Sequence, residues 1–180
     1  MADAPQGTGK KARGREGAGD MVRSLGLVMV GVVVVWFFAQ PPDSDEADIR
    51  PVDPAGDITA FRADVPGVGA PGVLPADWTP NVSELAAEPA QLRIGYVTGS
   101  RKYAEYAAST AARADVLEEL VGVAEQGAPV SVSGTVWEQY READGSISLV
   151  RAYGQVTVVV GTLRATAPLS ELEVLARSVT

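Results

Sequence analysis

Hydrophobic positions are distributed along this chain in three ways, and each predicts a different element. From Leu25 to Ala39 they are continuous, LGLVMVGVVVVWFFA, fifteen residues without a charge. From Leu92 onward they mostly alternate with polar positions, as a half-buried strand requires. In two stretches they recur every three or four residues, as on an amphipathic helix.

Leu92, Ile94, Tyr96 and Thr98 alternate with Gln91, Arg93 and Gly95, and Gly99-Ser100 is a turn signal, so Tyr103–Ala108 is expected to pair back as a hairpin. An earlier strand is expected in Val82–Ala87. Ser109 or Thr110 offers a cap for a helix carrying Val116, Leu117, Leu120, Val121 and Ala124 on one side, stopped by Gly127. Val130, Val132, Gly134 and Val136 then read as one strand ending at Trp137. Asp144-Gly145 is a hairpin turn leading into Ile147–Tyr153, and Gly154 joins that strand to Gln155–Gly161. Leu169, Leu172, Val174, Leu175 and Val179 mark a closing helix, opened by Ser170 and Glu173 at capping-box spacing or by Thr166 ahead of Ala167-Pro168. The order β-β-β-α-β-β-β-α with short turns predicts an α+β fold. Its expected form is an antiparallel sheet of about five or six strands, with two amphipathic helices on one face.

The continuous apolar run spans only ~23 Å at the helical rise, short of the ~30 Å hydrocarbon core. Its flanks lengthen it. Met21, Val22 and Ser24 are tolerable at the boundary, Arg23 can extend its guanidinium to the headgroups, and Trp36 suits the far interface. Pro41-Pro42 then end the helix. Residues 21–40 are therefore expected to cross the bilayer once, ahead of a folded domain. A cleaved signal peptide fits this stretch less well, because bulky Phe37 stands two residues before Ala39 and prolines follow at once. A soluble core helix would be unusual with an apolar surface all round.

Charge sets the orientation. Before the run lie five Lys/Arg and three Asp/Glu, a net +2, whereas from residue 41 ten Lys/Arg face twenty Asp/Glu, a net −10. The basic side is expected in the cytoplasm and the acidic side outside the membrane, in the cell envelope. Residues 1–20, without an apolar period, read as a disordered cytoplasmic tail. Residues 41–63 read as an acidic linker with a possible short helix at Asp57–Ala63, and residues 64–180 as the extracytoplasmic domain. Prolines 66, 71, 75 and 80 make residues 65–80 an extended lead-in that lays Leu74 and Trp78 onto the domain. A domain of this charge is poorly suited to nucleic acid.

No chemistry stands out. The chain has no Cys and no His, which removes thiol nucleophiles and the commonest neutral-pH base and metal ligand. Ser100 and Lys102 share a turn where both are routine. Glu118 and Glu119 point apart on a helix, and Glu171 and Glu173 sit in a helix first turn, where they favour the dipole. Asp43, Asp45, Glu46 and Asp48 lack the glycine and spacing of a calcium loop. The run Gly67–Gly72 is interrupted by prolines and opens no helix, so it is no phosphate cradle. Asn81-Val82-Ser83 matches a glycosylation sequon by pattern alone. No catalytic residue, metal or cofactor is expected. The aromatic residues serve core packing or anchor a ligand or partner. Trp78, Trp137, Tyr96 and Tyr103 are the candidate binding residues.

These features, in this order, resemble a family of actinobacterial single-pass membrane proteins, domain of unknown function 4245. The resemblance runs from about residue 15 to the end. It is carried by the basic tail and apolar run, Leu74-Pro75-x-x-Trp78, LRIGYVT (Leu92–Thr98) with Tyr103 and Tyr106, Gly134–Trp137, VTVVVGT (Val156–Thr162) and ELEVLARS (Glu171–Ser178). Pro168-Leu169 depart from the acidic helix start the family leads one to expect. The resemblance brings no activity with it. The chain is thus expected to be a non-enzymatic envelope module that meets the lipid bilayer through residues 21–40 and an envelope protein or cell-wall partner through its domain. The alternative is a carrier or sensor holding an apolar small ligand between sheet and helix, with Trp78 and Trp137 near the mouth.

Overall fold

A computed structural model describes Gly26, Val28, Met29 and residues 49–180. The expected membrane helix at 21–40 lies outside the described residues except for those three, which are helical and exposed. The tail at 1–20 and the start of the linker lie outside them as well. Among the described residues no helix is long and apolar enough to cross a membrane.

The compact unit Asp48–Thr180 holds three helices, α1 (Ala55–Asp64), α2 (Arg113–Leu120) and α3 (Leu169–Ser178). Its strands are β1 (Thr79–Ala87), β2 (Ala90–Val97), β3 (Tyr103–Ser109), β4 (Glu125–Gln126), β5 (Val130–Val132), β6 (Thr135–Arg141), β7 (Ile147–Tyr153) and β8 (Val156–Val160). They form one antiparallel sheet in the order β1-β2-β3-β8-β7-β6-β4, with β5 paired to β6 off this path. Two meanders, β1-β2-β3 and β6-β7-β8, meet where β3 lies beside β8, with Tyr106 opposite Val160 and Ala108 opposite Val158. The α+β class and antiparallel pairing follow from the sequence as expected.

The strand count is larger than five or six for two reasons: β4 occupies the stretch expected to end the second helix, and the stretch read as one strand to Trp137 is a tight hairpin. Val132 pairs with Thr135 across Ser133-Gly134, and both loop residues have positive φ, +50° and +79°. That backbone is the one a two-residue hairpin turn with native twist demands. The polar positions between the valines mimic alternation, so the period conceals the reversal. β6 then continues to Arg141, pairing Glu138 with Val150 and Tyr140 with Ser148.

The helices do not share a face. Val158 and Val160 of β8 pack with Leu92 and Ile94 of β2, Tyr106 of β3, Phe61 of α1, and Leu172 and Leu175 of α3. Val159, with Ala107 and Val150, packs on the other side against Val116 and Leu120 of α2. The physical reason is legible in β8: VTVVV is buried at every position, which is the pattern of a strand covered on both faces rather than one. The expected one-sided arrangement is therefore corrected to α1 and α3 on one face and α2 on the other.

Helix boundaries also shift. α2 ends at Leu120, before Ala124 and Gly127, because Gly122 takes φ +67° and its N–H joins that of Val121 on the Leu117 carbonyl. Neither Ser109 nor Thr110 caps it; Ala112 holds that position. Pro168 precedes α3, and the Thr166 hydroxyl accepts from the Tyr103 N–H instead of capping. The short helix expected within the linker is α1, and it belongs to the packed unit. Phe61 is fully buried in the core, a contribution of ~1.5–3 kcal/mol.

Candidate functional site

The lead-in is held by both ends of the domain. Ala70 exchanges N–H···O bonds with Thr180, Gly72 donates to Ser178, and the Tyr106 hydroxyl donates to the Gly69 carbonyl at 2.6 Å. From this fixed point the chain passes Leu74, turns with Trp78 N–H on the Pro75 carbonyl, and enters β1. Val52 N–H donates to the Pro80 carbonyl, so the residues before α1 lie along the start of β1.

Between these segments opens a cleft of ≈ 370 Å³. Its floor includes Tyr96 of β2 and Trp78, whose ring centroids are 6.3 Å apart with the planes tilted by 52°. Pro54, Pro71, Pro75 and Pro80 stand in its walls with Ile58 and Leu74. Asp53 is the one carboxylate of the lining. One of its oxygens accepts from the Ala55 N–H at the start of α1. Burial pushes the Tyr96 phenol above its usual range, so it stays protonated and a potential donor. Neither the Tyr96 hydroxyl nor the Trp78 indole N–H is engaged by another group among the described residues.

Of the four candidate binding residues, the fold thus joins Trp78 and Tyr96. Trp137 is 1 % exposed and belongs to the core, with no partner for its indole nitrogen among the described residues. It does not stand at a pocket mouth. Tyr103 alternates with Tyr106 along β3 and faces the other side of the sheet, where its ring crosses Gly95 so closely that a Cβ there would meet its hydroxyl. Burial, then the Glu105 carboxylate, push its phenol up to about 12.

On that same side Glu105 is fully buried. Arg93 Nη2 lies 2.8 Å from its Oε1, and the Thr162 hydroxyl donates to its Oε2. Through Arg93 and Thr162 this carboxylate fastens β2, β3 and the loop after β8. Ser100 and Lys102 serve their turn: the Ser100 hydroxyl meets that of Thr98, which accepts the Lys102 N–H. Among the described residues no group of three acidic side chains is placed to hold a metal ion.

A family model described as protein of unknown function (DUF4245) matches residues 13–179. The chain belongs to this family. The match covers all of the sheet, the helices, the lead-in and the cleft, so DUF4245 describes the fold unit rather than a fragment of it. No curated protein and no solved structure matches the chain.

Sequence reasoning named the two rings of the cleft but missed its walls. Pro71, Pro75 and Pro80 were read only as part of an extended lead-in, and Pro54 was not read with them. Pro54 joins Pro71, Pro75 and Pro80 because the residues before α1 lie along the start of β1.

Proposed function

We propose that this protein is a non-enzymatic binding module of the cell envelope, anchored through residues 21–40 with residues 41–180 outside the membrane, and that its partner docks in the Trp78–Tyr96 cleft. The cleft is the observation that carries this reading. Its volume falls in the range of about 300–1,000 Å³ typical of ligand sites, and two aromatic rings and an apolar wall surround a few polar groups. Its lining suits recognition better than reaction. Acid–base catalysis wants a positioned pair of ionisable groups, whereas Asp53 is the one carboxylate there and already accepts from Ala55. The uncharged run Leu25–Ala39, with basic residues before it and acidic ones after, supports the anchor and its orientation.

The alternative of an apolar small ligand between sheet and helix draws on the same cleft, since Ile58 of α1 and Tyr96 of β2 both line it. An open, proline-walled groove suits an extended partner better than an enclosed ligand.

Two measurements test the proposal. A C-terminal reporter active only outside the cytoplasm should be active on a full-length, membrane-bound chain; an inactive fusion overturns the topology. A photo-crosslinking residue at Ala76, on the cleft rim, should give an adduct in intact cells that Trp78→Ala abolishes, while one at Val136, on β6 and 64 % exposed, should not. Equal labelling at both positions overturns the assignment of the cleft.

A further inference from the structure

We infer that the cleft takes an extended, proline-containing peptide segment bearing a cationic side chain. The inference rests on the reading of the cleft as the binding site and adds the chemical class of its occupant. Four observations lead to it.

The rings of Trp78 and Tyr96 are neither stacked nor coplanar. At 6.3 Å and 52° they form an open angle, a notch for a compact, ridged apolar group rather than a flat platform. A polyproline helix presents such ridges, and aromatic-lined grooves are its usual receptors.

The second observation is the pair of donors, the Trp78 indole N–H and the Tyr96 hydroxyl, that no group among the described residues engages. A polyproline backbone makes no internal hydrogen bonds, so its carbonyls are available to donors of this kind. A glycan would instead want a dense set of donors and acceptors, and the lining offers two such groups and one carboxylate.

Third, the walls are stiff. Pro54, Pro71, Pro75 and Pro80 fix φ at four points of the lining. The lead-in is also tied to Ser178, Thr180 and Tyr106. A preformed groove and a preformed ligand both lose little freedom on association.

Charge supplies the fourth. Asp53 is the charged side chain of the lining, and residues 41–180 carry a net −10. The partial positive end of α1 opposes this with roughly half a unit charge, less than the carboxylate contributes. The field therefore favours a cation beside the apolar notch. The chain's own Pro41-Pro42 segment is followed by Asp43, Asp45, Glu46 and Asp48, which carry the wrong sign for this occupant.

The test uses the full-length chain in lipid nanodiscs and fluorescence anisotropy of labelled nine-residue peptides. Three repeats of Pro-Pro-Arg should bind, while three repeats of Pro-Pro-Glu or of Gly-Ser-Arg should bind at least about ten-fold more weakly. Asp53→Asn keeps the hydrogen bond to Ala55 and removes the charge, so it should weaken Pro-Pro-Arg binding by about three- to five-fold. Trp78→Phe, which keeps most of the packing and loses the N–H, should weaken it further, and Tyr103→Phe on the other face should leave it unchanged. Equal binding of the glutamate or glycine peptide overturns the inference, as does indifference to both cleft variants. A dodecyl-chain probe and chitotetraose separate the two levels of the argument. If either binds in a Trp78-dependent way and the peptides do not, the ligand class is wrong and the cleft remains the site. If no probe responds to Trp78→Phe, the cleft reading fails as well.

Discussion

Arg93 meets Glu105 across β2 and β3 with 2.8 Å between Nη2 and Oε1, and the carboxylate it neutralises has no exposure to solvent. The two residues are not directly opposite in the ladder; Arg93 pairs with Ala107 and Glu105 with Gly95. The guanidinium therefore reaches diagonally, and Thr162 closes the remaining oxygen from the loop after β8.

Removing one partner of such a pair leaves a buried charge uncompensated. Arg93→Ala should lower stability by about 3–5 kcal/mol, read as a lower urea midpoint at unchanged slope. The double variant Arg93→Met, Glu105→Leu should recover much of that loss. The contrast is Arg113 with Glu138, also 2.8 Å apart but more than a third exposed at each side chain. Arg113→Ala should cost less than about 1 kcal/mol. A similar cost for the two arginine variants would remove the special role assigned to Glu105.

Two glycines separate backbone strain from packing. Gly134 and Gly161 share φ +79°, but a Cβ at Gly134 meets open space, whereas one at Gly161 would lie 2.5 Å from the Ile147 carbonyl and 2.8 Å from Leu172. Gly134→Ala should cost about 1–2 kcal/mol, the left-handed penalty alone. Gly161→Ala should cost well beyond that, because the Ile147 carbonyl of β7 must shift and the buried Leu172 side chain must repack. Thermal or urea unfolding of the two variants side by side decides it.

The tyrosines predict the alkaline limit. The folded-state value of Tyr103 is raised to about 12 from an ordinary 10.0, first by burial and then by Glu105. Burial raises Tyr96 and Tyr106 as well. The folded state then binds more protons than the unfolded state above pH 10, so stability is fully present below pH 10 and falls as pH rises toward 12. Phenolate absorbance should lag behind that of the unfolded chain in this window, and Tyr103→Phe should flatten the decline in urea midpoint. A phenolate titration superimposable on the unfolded one would contradict this burial.

The two tryptophans of the domain should differ in access. Trp137 is 1 % exposed and Trp78 is half-buried at the cleft. Acrylamide should quench the chain less after Trp78→Phe than after Trp137→Phe, with Trp36 common to both. Equal quenching would move Trp78 out of the cleft.

The class of fold and most of its elements were written locally. Alternation in Leu92–Thr98, helical spacing in Val116–Leu120 and Leu169–Leu175, and the Asp144-Gly145 turn are all short-range patterns, and each element forms where its pattern lies. The Ser133-Gly134 reversal was hidden by the even spacing of Val130, Val132 and Val136 in the sequence, although the two-residue loop inverts strand parity and leaves Val136 64 % exposed while Trp137 is buried.

What the sequence by itself determined is therefore everything set within a few residues: the uncharged run, the charge asymmetry, the strands and helices, and the absence of Cys and His. The tertiary structure alone decided which face each helix covers, because that depends on β3 and β8 meeting at the centre of the sheet. It also decided the site. Trp78 and Tyr96 are eighteen positions apart and share a cleft, while Tyr103, only seven beyond Tyr96, lies on the other face. Strand parity and the return of residues 49–54 along β1 make that division, and both are long-range consequences that no local pattern carries.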